Sequence, residues 1–107
     1  AAPWTVHFAP GGELTASCLN RGVRVVPVEG LDGVPPFLEP WRRHLQTVGV
    51  AGLGDGREGF LEGLAALGVS RVTSLDQVPW PPAWWHHDGE GPLRTLVRWT
   101  DLEASRD

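Results

Sequence analysis

The stretch LQTVGVAGLGDGREGFLEGLAALGVSRVT, residues 45–73, decides the fold. Residues 45–51 read as a strand, and Gly52-Leu53-Gly54-Asp55-Gly56 reads as the loop that leaves it. Phe60, Leu61, Leu64 and Leu67 then form an apolar stripe at helical spacing. Asp55 is placed as N-cap, with Glu58 in a capping-box arrangement, and Gly68 stands where a helix closes in the left-handed conformation. Residues 69–73 follow at once as another strand. Gly59 and Gly63 each cost about 1 kcal/mol against Ala inside a helix, so their spacing points to close approach by another element.

Upstream, residues 22–28 are β-branched and mostly apolar, as a strand covered on both faces would be. Pro27 cannot donate a ladder bond and argues for an edge or a strand end. Trp4-Thr5-Val6-His7-Phe8 alternates like a half-buried strand and ends at the turn signal Pro10-Gly11-Gly12. Residues 14–19 fit a strand or a short helix equally. Phe37, Leu38, Trp41 and Leu45 mark one face of a helix, and because Pro40 is tolerated only in a first turn, that helix is expected to begin near Glu39 or Pro40. Strand, helix, strand, helix, strand with short connections predicts an α/β fold, a β-α-β-α-β unit with a mainly parallel sheet. Strands 23–28, 45–51 and 69–73 are expected side by side, with the two helices packed on them. A last helix over residues 92–100, with Leu93, Leu96 and Val97 on one face and Arg94 and Arg98 on another, is expected to dock on the sheet, leaving a polar tail.

With 107 residues the chain is one domain at most. All nine basic residues are Arg, there is no Lys or Met, and the formal net charge is −4. An acidic chain whose only adjacent basic pair is Arg42-Arg43 lacks the electrostatic footprint of a nucleic-acid binder. No apolar run approaches the roughly 20 residues needed to cross a bilayer, and no signal-type apolar region opens the chain. A start at Ala1-Ala2-Pro3 without an initiator Met leads us to expect a piece of something longer. The single cysteine, Cys18, cannot form an internal disulfide, which fits a reducing compartment.

The chemically richest segment is Pro79-Trp80-Pro81-Pro82-Ala83-Trp84-Trp85-His86-His87-Asp88-Gly89. Prolines stiffen the path, indoles carry large apolar area, and imidazoles beside a carboxylate add polar contacts. His87 next to Asp88 is a ready proton handler. Alternatively, Asp88 complements the dipole of a helix opening at Gly91-Pro92 while the histidines bond backbone carbonyls. Consecutive residues of an extended chain point to alternate faces, so at most His86 and Asp88 converge, and no metal is expected where a structural zinc wants four protein ligands. Trp84 and Trp85 are either the wall of an apolar pocket or packing between lobes. Cys18, in Ala16-Ser17-Cys18-Leu19-Asn20, has no base within reach in sequence, and a small buried hydrophobe is the default for a lone cysteine.

Taken in order, residues 23–28, 45–52 and 67–72, then Pro79-Trp80-Pro81-Pro82, Trp84-Trp85-His86-His87-Asp88-Gly89 and Leu96-Val97-Arg98-Trp99, resemble the carboxy-terminal part of the long-chain acyl-CoA reductases. These are the fatty-acid reductase subunits of bacterial bioluminescence systems and their non-luminous relatives, within the aldehyde dehydrogenase superfamily. The resemblance runs from about Trp4 to Glu103. It implies a cytoplasmic bacterial enzyme, part of an aldehyde-dehydrogenase-like catalytic domain, that reduces a fatty acyl-CoA to the aldehyde. In that family a cysteine takes the acyl group and hydride from NADPH releases it.

The resemblance also implies that both halves of that chemistry lie upstream. The family's nucleophile sits in a small-residue and proline context that Cys18 does not match. Gly52-Leu53-Gly54-Asp55-Gly56 lacks the G-x-G-x-x-G spacing of a dinucleotide turn. Residues 1–107 are therefore expected to lack the nucleotide-binding lobe and the catalytic cysteine, and to be inactive alone. No catalytic, cofactor-binding or metal-ligating residue is expected here. Trp84, Trp85, His86, His87 and Asp88 are the substrate-cleft candidates. Partners are the fatty acyl-CoA substrate, the rest of the parent chain and a second copy in a homo-oligomer. The competing reading is a small non-catalytic α/β interaction or ligand-binding module that stacks a flat ligand on the Trp/His-rich segment 79–89.

Overall fold

The computed structural model describes residues 3–17 and 19–103. Its strands and helices are, in order, β1 Thr5–Phe8, β2 Gly22–Val25, α1 Val34–Leu38, β3 Thr47–Val50, α2 Arg57–Ala66 and β4 Arg71–Ser74. Short 3-10 turns lie at Leu31–Gly33, Glu39–His44, Leu75–Gln77 and Arg94–Leu96. The α/β class holds. So does the central strand-helix-strand unit: β3 and β4 are parallel, in register from Thr47 opposite Arg71 to Val50 opposite Ser74, with α2 between them.

The apolar stripe of α2 is the core. Phe60, Leu64 and Leu67 are buried, and Leu64 alone is fully so. Gly68 closes the helix at φ +90°, its N–H donating to the Ala65 carbonyl at 2.9 Å. The start differs from the capping-box expectation, for the N-cap is Gly56 at φ +87° and no side chain caps it. That left-handed residue turns the chain into the helix one position later, which leaves Asp55 outside the cap. Of the two helix glycines, Gly63 meets a neighbour: a Cβ there would lie 3.3 Å from Pro35 Cγ in α1. Gly59 faces open space.

The single three-stranded sheet is not what forms. β2 pairs in parallel with β1, Thr5 opposite Gly22 through Phe8 opposite Val25, and this sheet is separate from β3–β4. Alternation identifies a strand but carries no information about its partner, and β1 presents a matching apolar face in Val6 and Phe8 against Val23 and Val25. Pro27 bears out its reading as a strand end, since β2 stops at Val25.

The first helix also starts earlier than expected. Pro35 and Pro36 sit in the first turn of α1, where a missing N–H removes no intrahelical bond. Pro40 cannot donate to the carbonyl four residues back, so the chain tightens into the 3-10 turn Glu39–His44 instead of continuing as α-helix. Trp41 ties this turn to the segment after β1, its Nε1 donating to the Leu14 carbonyl at 2.9 Å. Residues 14–17 are neither strand nor helix.

The expected helix over residues 92–100 reduces to the turn Arg94–Leu96, and Leu93, Leu96, Val97 and Trp99 stand exposed. A helix of that length is below the roughly 12–15 residues that hold in water without packing, and its apolar residues are not buried. The whole molecule shares this openness. Its accessible surface is 9257 Å², where a self-contained chain of its mass exposes about 5,800 Å². Its radius of gyration is 19.3 Å, against roughly 13 Å for a compact domain of this length. No helix among the described residues is long and apolar enough to cross a membrane.

Candidate functional site

The two ends of the β3–β4 sheet are built differently, and the Trp/His-rich segment belongs to the amino-terminal end. Gln46, immediately before β3, accepts at its backbone carbonyl from Ser70 N–H at 3.1 Å, Arg71 N–H at 3.0 Å and Ser70 Oγ at 3.1 Å. Arg71 opens β4 and turns its guanidinium onto the chain that comes back after the strand. Nη2 donates to the Gln77 carbonyl at 2.8 Å and to that of Trp80 at 3.5 Å, while Nη1 donates to that of Val78 at 2.9 Å. The reversal itself is held at Asp76, whose carboxyl lies below its ordinary value because the Gln77 amide donates to it at 2.9 Å, with Ser74 adding a second donor.

Trp85 stacks on this anchor, with the Arg71 guanidinium carbon 5.6 Å from its ring centroid. The His87 ring follows at 4.7 Å from Trp85. His87 Nδ1 then lies 3.2 Å from Asp88 Oδ2, and Gln46 Nε2 donates to Asp88 Oδ1 at 2.6 Å, which closes a ring of contacts back to the start of β3. Asp88 and Gly89 both have positive φ, +52° and +80°, and the Glu90 N–H donates to the His87 carbonyl at 3.0 Å. Two consecutive left-handed residues at Asp-Gly make a tight hairpin turn of the kind that pairing favours.

The structure thus brings Trp85, His87 and Asp88 together and leaves the other two candidates apart. Trp84 and His86 make none of these contacts, and of the five only Trp85 is not exposed. The helix whose dipole Asp88 was to complement does not form, and Asp88 serves Gln46 and His87 instead. Trp85 Nε1 is buried without a hydrogen-bond partner among the described residues. Gln46 and Arg71 were missed by the sequence reading. Arg71 left one faint signal, a charged residue in an otherwise short and mostly uncharged strand; Gln46 left none.

At the carboxyl ends of the same strands lies a crevice of about 430 Å³, walled by Val50, Leu53, Leu61 and Val72, with Arg57, Thr73 and Ser74 as polar members. Open parallel sheets bind ligands at this end of their strands. Sequence reading took the loop before α2 as a turn without dinucleotide spacing and placed Asp55 in it as N-cap. Its glycines follow at every second residue, which is not the G-x-G-x-x-G spacing. The described residues lack the glycine spacing of a dinucleotide turn. Nor do they hold a group of three or more His, Cys, Asp or Glu side chains fit for a metal ion. Cys18 lies outside the described residues.

Comparison with curated proteins and with solved structures gives no match. Comparison with family models gives one over residues 1–99, described as Acyl-CoA reductase (LuxC). That match spans nearly the whole chain and agrees with the ordered run of motifs from residue 23 to Trp99, so the chain belongs to the acyl-CoA reductase (LuxC) family.

Proposed function

We propose that these residues form the carboxy-terminal part of the catalytic domain of a cytoplasmic, NADPH-dependent reductase that converts long-chain fatty acyl-CoA to fatty aldehyde through an acyl-cysteine intermediate. The family match over residues 1–99 carries this reading. Two observations support it. The excess exposed surface is what a part of a larger fold leaves bare when its covering is elsewhere. The Gly-rich loop lacks the G-x-G-x-x-G spacing, so the reductant is assigned to sequence outside these residues.

The test uses the complete protein and the isolated 107 residues side by side. The complete protein should oxidise NADPH when given a long-chain acyl-CoA and should release aldehyde and CoA. The isolated residues should do neither. Micromolar NADPH binding by the isolated residues would overturn the assignment of the nucleotide lobe elsewhere. Cys18→Ala in the complete protein should leave the trapped acyl-enzyme intact, and its loss would make Cys18 the nucleophile.

Within this reading Trp84, Trp85, His86, His87 and Asp88 face the acyl side of the parent enzyme. Trp85→Ala and His87→Ala should then impair acyl-CoA turnover while NADPH binding holds. If both variants instead melt earlier and keep normal turnover per folded molecule, the segment is structural. A second reading, a binding module that stacks a flat ligand, draws on the exposure of Trp80 and Trp84, 73% and 77%, on a proline-stiffened path. Red-shifted tryptophan emission that responds to a ligand other than an acyl-CoA would favour it.

A further inference from the structure

We propose that the crevice at the carboxyl ends of β3 and β4 receives the phosphopantetheine end of the coenzyme A moiety, with Arg57 pairing to its phosphate. This assignment rests on the acyl-CoA reading above and names the part of the substrate that these residues hold. The cavity's size, about 430 Å³, is within the range of small-ligand sites, which are mostly apolar with a few placed polar groups. Val50, Leu53, Leu61 and Val72 supply the apolar wall, and Thr73 and Ser74 are its hydroxyl-bearing members.

Arg57 is the only cation on this lining. It has no ion-pair partner among the described residues, whereas Arg42 is committed to Glu39 and Arg71 to three carbonyls. Asp55 and Glu58, its near neighbours in the chain, are not on the lining. An unpaired guanidinium beside an apolar trough suits a ligand that carries an anion next to a slender, partly apolar arm, and the planar fork of Arg suits a phosphate. A dinucleotide does not fit this description, and a fatty acyl chain alone leaves the cation unused.

Titration calorimetry of the complete protein with CoA, and separately with pantetheine, tests the assignment. Pantetheine has the same arm and no phosphate. Arg57→Gln should weaken CoA binding about tenfold or more and leave pantetheine binding unchanged, and Arg57→Lys should weaken CoA by less. Unchanged CoA affinity in Arg57→Gln, equal losses for CoA and pantetheine, or no CoA binding by the wild-type protein would each overturn the proposal. Aldehyde production is a separate measurement. A protein that binds CoA through Arg57 yet makes no aldehyde from acyl-CoA would refute the reductase reading and leave the crevice assignment standing.

Discussion

Gly49→Ala is the sharpest probe of how the chain returns after β4. Gly49 lies within β3 opposite Thr73, and a Cβ built there would come 2.5 Å from Val78 Cγ2, 3.1 Å from Leu75 Cδ1 and 3.2 Å from Leu75 Cα. The three contacts differ in how they can relax. Leu75 is 62% exposed and its side-chain tip can swing into solvent. Val78 is β-branched and stiff at χ1, and the Leu75 Cα is backbone, so the segment 75–78 itself must move outward. That same segment offers the Gln77 and Val78 carbonyls to Arg71 at 2.8 and 2.9 Å, and these bonds lengthen if it moves. Overpacking of this kind costs about 1–3 kcal/mol. Gly59→Ala is the matched control, because its Cβ would meet nothing within 4 Å, and it should stabilise by up to about 1 kcal/mol through helix propensity. Urea unfolding of the complete protein measures both. Gly49→Ala as stable as wild type would refute the close approach of residues 75–78 to β3.

Two further substitutions test the core and the clamp. Leu64→Ala removes the one fully buried side chain of α2, and should lower unfolding free energy by about 2–5 kcal/mol in the same urea assay; a loss under about 1 kcal/mol would mean that α2 is not the centre of packing. Arg71→Ala frees three carbonyls and the Trp85 face. It should red-shift tryptophan emission and raise acrylamide quenching, with a stability loss of about 1–3 kcal/mol, and Arg71→Lys should not restore it because one ammonium cannot fork to the same set of carbonyls. Emission that stays unchanged would show that Trp85 is held by something other than Arg71.

What the sequence made legible was local. Gly68 declared the end of α2, Pro27 the end of β2, and the stripe Phe60, Leu64, Leu67 the buried face, because each is settled by the residue and its near neighbours. Pairing was not legible. Residues 22–25 have the composition of a strand whichever strand lies beside them, and it is β1 that pairs there. Pro40 was read correctly as a residue that breaks a ladder, but its effect fell on the end of α1 rather than on the start of a longer helix. The segment 79–89 was legible as a place of dense contacts. Its anchors were not, since the Gln46 amide reaches Asp88 across forty-two positions of sequence and no short-range pattern encodes that.

The two ends of β3–β4 bear on how any loss of activity in the Trp/His segment is to be interpreted. Four residues at about 3.3 Å each put the ends of a strand on the order of 10 Å apart. Trp85, His87 and Asp88 are fastened at Gln46 and Arg71, before and at the start of the strands, while the crevice opens at Val50 and Ser74, where they end. A side chain that walls the acyl chain acts by direct contact, so its removal should cost more for longer chains, by up to about 0.8 kcal/mol for each methylene it covered. A side chain that holds the start of the strands acts on every substrate alike, by shifting the strand ends that shape the crevice. Dependence on chain length therefore separates contact from positioning for His87 and Trp85. A loss that grows with chain length would place both residues against the acyl chain, and a loss equal for all chain lengths would make them positioning residues held at the strand starts.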